Sequence, residues 1–130
     1  MLNVDQMGFA TVIHTQFENR EPFGTPAVVA LVEIDKHTYT VDKLLAQVFK
    51  LTNNIDKSWC KNEQVITIST KAGCRSTSAG DIIKIDDDFW RVAPVGFDKL
   101  NGAPEEWHTA RAKLYVDNQG SAEARMATWV

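Results

Sequence analysis

The chain lacks the marks of most familiar chemistries. Its 130 residues hold no Cys-x-x-Cys, no P-loop, no dinucleotide fingerprint and no Gly-x-Ser-x-Gly elbow. Thiol–disulfide exchange, nucleotide binding and hydrolase chemistry therefore find no local signature. Cysteine is scarce: Cys60 and Cys74 alone do not make a disulfide framework, and reduced thiols are expected. No apolar run approaches the ~20 residues that span a bilayer. Met1 to Gln6 lack the basic stretch and apolar core of a signal peptide. No membrane association and a cytoplasmic location are expected. Positive charge is not in excess either. A net charge of −3 argues against a general duplex-DNA binder, whose affinity rests on neutralising phosphates.

What is present suits one ordinary domain over residues 1–130. Hydrophobic residues make up 44% and charged residues 24%, so the chain can bury a core without a metal. Residues 9–17 and the almost continuous apolar run 27–34 are short and rich in β-branched side chains, and both are expected as strands. The loop between them carries Pro22, Gly24 and Pro26.

From Thr40 to about Asn54 the apolar residues Val41, Leu44, Leu45, Val48, Phe49, Leu51 and Ile55 return at helical spacing, with Lys43, Lys50 and Lys57 opposite. This pattern predicts an amphipathic helix capped by Thr38 or Thr40, with Asn53-Asn54 stopping it in a left-handed conformation. Residues 64–69 alternate as a strand does. Asp81–Ile85 and Phe89–Val92 form a hairpin around Asp86-Asp87-Asp88. Pro104, with Glu105 and Glu106, opens a short helix to about Ala110, and 112–116 is expected as a strand. The expected class is α+β: a mostly antiparallel sheet of four to six strands with one main amphipathic helix packed on one face.

The polar turn Arg75-Ser76-Thr77-Ser78-Ala79-Gly80-Asp81 concentrates the candidate chemistry. Its hydroxyls and backbone N–H groups could hold an anion. The favoured explanation is structural: the hydroxyls satisfy a tight entry into a strand, Asp81 accepts N–H bonds from that turn, and Arg75 pairs with it. The remaining candidates are weaker. The three aspartates lack the ligand spacing of a calcium loop. Glu105-x-x-His108 occurs once, where a di-iron site needs two copies. Cys74 beside Arg75 has no catalytic signature. No cofactor and no metal are expected. Of four tryptophans, Trp59 and Trp129 lie among polar residues or at the terminus and are candidate partner anchors.

Residues 39–97 resemble YodL-like domains, small proteins or modules of unknown function from bacteria, phages and mobile elements. Phe49-Lys50-Leu51-Thr52-Asn53 is similar to the aromatic-rich helix end of that family. Arg75-Ser76-Thr77-Ser78-Ala79-Gly80-Asp81-Ile82-Ile83 is similar to its Arg-x-Ser-x-Ser-x-x-Asp-Val-Val pattern. Phe89-Trp90-Arg91-Val92 and Val95-Gly96-Phe97 are similar to its closing strand and Gly-Phe. The insertion between the helix and Arg75 departs from the pattern, as do Arg91 and Ala93. The resemblance implies no known catalysis and supplies no catalytic residues.

The functional expectation is a non-enzymatic accessory protein of a bacterium, phage or mobile element that binds a protein partner or self-associates. Arg75, Ser76, Ser78, Asp81, Trp90 and Arg91 are its candidate contact residues. The alternative is a small nucleic-acid-binding module: the loop and hairpin carrying Lys71, Arg75, Lys84 and Arg91 would make the contact, and Trp90 would stack on a base. An enzyme would need a deep pocket assembled from distant residues such as His14, His108 or Asp81.

Overall fold

A computed structural model describes residues 7–15, 26–36, 39–54, 58–68 and 75–117. Eight regular elements follow in order: β1 (Met7–His14), β2 (Ala27–Asp35), α1 (Val41–Leu51), β3 (Val65–Thr67), β4 (Ile82–Ile85), β5 (Asp88–Val92), β6 (Phe97–Lys99) and α2 (Glu105–Asp117), with a single 3₁₀ turn at Trp59–Lys61 before β3. The strands form one six-stranded sheet in the order β3-β2-β1-β4-β5-β6, and each neighbouring pair is antiparallel. The expected α+β class with an antiparallel sheet is the observed one.

Both faces of the sheet are covered. Leu44, Leu45 and Val48 of α1 pack onto Ala10, Val12, Val32 and Ile83. Trp107 and Ala110 of α2 pack onto Ile13, Val28, Leu31 and Ile82 on the opposite face. This explains the almost continuous apolar run of β2, which only the exposed Glu33 interrupts, since a strand buried on both sides has no polar face to show. The run also contains a register shift. Val12 lies opposite Ala30 but Ile13 lies opposite Val28, which leaves Val29 as an extra residue. The bulge turns both Val29 and Ala30 toward α1 and resets the alternation.

α1 ends differently from expectation. Thr40 caps its start by accepting from Lys43 N. At its other end no left-handed Asn occurs: among the described non-glycine residues only Asp86 has a positive φ. Instead Asn53 N donates to Lys50 O and the Asn53 amide donates to Phe49 O, closing the last turn through its side chain.

Several expectations are corrected. Residues 112–116 continue α2 and are not a strand; Ala, Lys and Leu are strong helix formers, and a helix nucleated at Glu105 propagates through them. β6 follows a loop whose Gly96 takes a positive φ of 78°, the Gly-assisted hairpin loop that periodicity over three residues cannot reveal. Trp59 is core, 2% exposed, with its indole N–H donated to Arg75 O at 2.7 Å. Trp90 is likewise buried, under α1. Both side chains belong to the core. Trp129, Lys71 and Cys74 lie outside the described residues. Cys60 is disulfide-bonded, contrary to the expectation of reduced thiols, and the sequence holds one other cysteine, Cys74.

The bond restricts the unfolded chain. Reducing it, or the substitution Cys60→Ser, is expected to lower unfolding free energy by about 2–4 kcal/mol. Urea denaturation of oxidised and reduced protein measures this directly.

Candidate functional site

β1 and β4 lie side by side, which brings Thr15 to the turn before β4 although 66 residues separate Thr15 from Asp81. Asp81 is the centre of the resulting polar cluster, with its side chain 1% exposed. A buried carboxylate is tolerated only when its charge and lone pairs are met. Arg75 meets the charge with a two-pronged pair, both contacts at 2.8 Å. The backbone N–H groups of Ser78, at 2.9 Å, and Thr15, at 3.0 Å, fill the remaining lone pairs. Gly80, at φ 97°, supplies the turn that a side chain would strain. Its carbonyl accepts from both Thr15 Oγ1 and Arg91.

Among the candidate contact residues, Arg75, Ser76, Ser78 and Asp81 are thus brought together, and each is used by the fold. Ser76 Oγ accepts from Asn54 N just after α1. Ser78 lies 3.3 Å from Arg75 Nη1. Arg91 stands at the margin and pairs with Glu106 of α2 at 2.9 Å. Trp90 faces the α1 side of the sheet and takes no part in the cluster.

The sequence named Thr77 only as one hydroxyl of the polar turn, did not single out Thr15 or Thr52, and offered His14 only as a distant possibility. His14 is fully buried, with its edge against Trp59. Its Nε2 lies 2.9 Å from Thr77 Oγ1. Thr77 donates its hydroxyl to Thr52 Oγ1, and Thr52 donates to Val48 O in α1. Each hydroxyl has one proton, so the chain runs in one direction and Nε2 of neutral His14 carries the hydrogen. Burial pushes the His14 pKa down to about 4; the Asp81 charge opposes this and Arg75 assists it.

His, Asp and Thr in contact invite comparison with a catalytic triad, but the geometry differs. Asp81 Oδ2 stands 3.9 Å from the same Nε2 that holds Thr77. A triad acid must hold the opposite ring nitrogen to orient the base. Thr77 is 1% exposed and its proton is committed to Thr52, so it is not presented as a nucleophile.

A buried cation lies on the other face. Lys84 is 6% exposed, with its ammonium 5.8 Å from the Phe89 ring centre and 5.6 Å from that of Trp107. It donates to Asp86 O in the hairpin turn. Burial lowers its pKa, and Asp87 and Asp86 oppose the shift. Thr11, its cross-strand neighbour, has a buried hydroxyl without a hydrogen-bond partner among the described residues. No grouping of three or more metal-ligating side chains occurs among the described residues, and no described helix is long and apolar enough to cross a membrane.

Asp81→Asn should cost about 3–5 kcal/mol in urea denaturation, because its amide would face N–H donors while Arg75 lost its counter-charge. His14 makes a separate contribution. It is neutral when folded and charged when unfolded between about pH 4 and 6.5, so stability should fall as pH drops through that window. The full loss is about 3 kcal/mol. His14→Gln should flatten the slope of stability against pH between pH 6.5 and 5, the range where carboxylates contribute least.

The cluster therefore joins the sheet to the turn and to α1, with its chemical groups turned inward. No protein-family model, curated protein or solved structure matches this chain.

Proposed function

We propose that this chain is a non-enzymatic accessory protein of a bacterium, phage or mobile element that works by binding a protein partner. The single observation that supports this most is the inward commitment of its reactive side chains. Asp81, His14 and Thr77 satisfy one another or the backbone at 0–1% exposure, which leaves the surface as the place for function. The resemblance of residues 39–97 to YodL-like domains agrees with such a role. The Cys60 disulfide weighs against the reducing cytoplasm expected from the sequence, since such bonds persist in oxidising settings.

The nucleic-acid alternative draws less support from the described residues of its proposed contact, which do not include Lys71. Arg75 is held by Asp81, Arg91 by Glu106 and Gly80, and Lys84 is buried. Trp90, at 8% exposure, has no free ring face on which a base could stack.

Affinity purification of the tagged chain from its native host, after mild cross-linking, should recover a stoichiometric protein complex. Its absence across growth conditions would count against the reading. Binding to single-stranded oligonucleotides should be absent at ~50 mM salt.

A further inference from the structure

The sheet has two outer strands, and they differ. At β3 the outward N–H of Val65 is already bonded to Asn62 O in the preceding turn. At β6 the hydrogen-bonded pairs with β5 are fixed by Leu100 N donating to Phe89 O and Ala93 N donating to Gly96 O, both within 3.0 Å. Antiparallel alternation makes Arg91–Asp98 the pair between them. The N–H and C=O groups of Phe97 and Lys99 therefore point away from the sheet, and among the described residues they meet no partner.

The side chains along this edge carry a pattern. Phe97 is half-buried, edge-on to Phe49 of α1 at 6.2 Å, and Lys99 shares its face of the strand. Lys99 is 61% exposed, with a loose 3.8 Å contact to Asp88. Asp98 faces the other way and is exposed. Just before the strand, Val95 is 93% exposed.

A second copy of the chain is a poor occupant. The antiparallel self-pairing that uses all three residues of β6 must centre on Asp98. It would set two Asp98 carboxylates opposite each other in a close, non-hydrogen-bonded pair. The same charge favours a foreign strand with a cation at that position.

We propose that β6 accepts an extended segment of the partner protein by antiparallel strand addition. This rests on the protein-binding reading above. The segment reads acidic–basic–apolar from its N-terminus: the acid opposite Lys99, the base opposite Asp98 and the apolar residue opposite Phe97. Hydrogen bonds to Phe97 and Lys99 hold it, and Asp98 sets its register.

The probe is a synthetic peptide with Glu-Lys-Val at the centre of a threonine-rich extended sequence, titrated by NMR. Shifts should concentrate on residues 95–100. Lys99→Pro removes an outward N–H without breaking a ladder bond, and should weaken binding about fivefold. N-methylation of the peptide valine should do the same to unmodified protein, independently of how the variant folds. Asp98→Lys should reverse the preference toward a Glu-Glu-Val peptide. No saturable binding, binding unaffected by the lost N–H groups, or a preference unmoved by Asp98→Lys would each overturn strand addition at β6. A host complex recovered despite such a result would leave the broader protein-binding reading standing.

Discussion

The structure depends on satisfying one buried negative charge. The six-stranded sheet is two meanders, β3-β2-β1 and β4-β5-β6, joined along the single seam between β1 and β4. Asp81 sits at the end of that seam. Its carboxylate binds the backbone of Thr15 on one side and that of Ser78 on the other, and Arg75 closes the site. Removing the charge from water costs several kcal/mol, offset only when each lone pair is met. The ends of both meanders and the segment from Arg75 to Gly80 are therefore fixed together. His14, Thr77 and Thr52 extend the same junction to the C-terminal carbonyls of α1.

Much of this was legible in local sequence, for reasons that differ between elements. The apolar stripe of Val41 to Leu51 specified α1 because helical spacing is a local signal. The role of Arg75 and Asp81 was legible because both lie in one seven-residue turn whose residue types bond locally. His14 and Thr15 were not assigned to it, since 63 and 66 residues separate them from Thr77 and Asp81 and no spacing encodes that contact. Trp59 was misread for a related reason: its polar sequence neighbours said nothing about the Arg75 carbonyl waiting for its N–H. β6 was too short to show a period, and α2 lacked the apolar alternation that would have marked its end.

The polar cluster also shows why a list of reactive side chains is a poor guide to reactivity. The hydrogen-bond chain from His14 to Val48 consumes each proton in turn and ends on a carbonyl. Such a chain gives direction and rigidity, because reversing it leaves the Val48 carbonyl facing a hydroxyl oxygen with no proton to give. Lys84 illustrates the same principle on the other face. Its ammonium lies against two aromatic rings and a turn carbonyl, tying the hairpin to α2.

The seam has a further consequence for how the chain folds. Most strand pairings here join near neighbours along the chain, but β1 and β4 bring Ala10 beside Ile85. Closing that distance is entropically slow, and nothing rewards it until both meanders exist. The natural order of events is two locally formed sheets that meet once. In the finished sheet the Arg75–Asp81 turn receives the end of β1. The carboxylate that holds the protein together thus also lies where one of its costliest loops has to close.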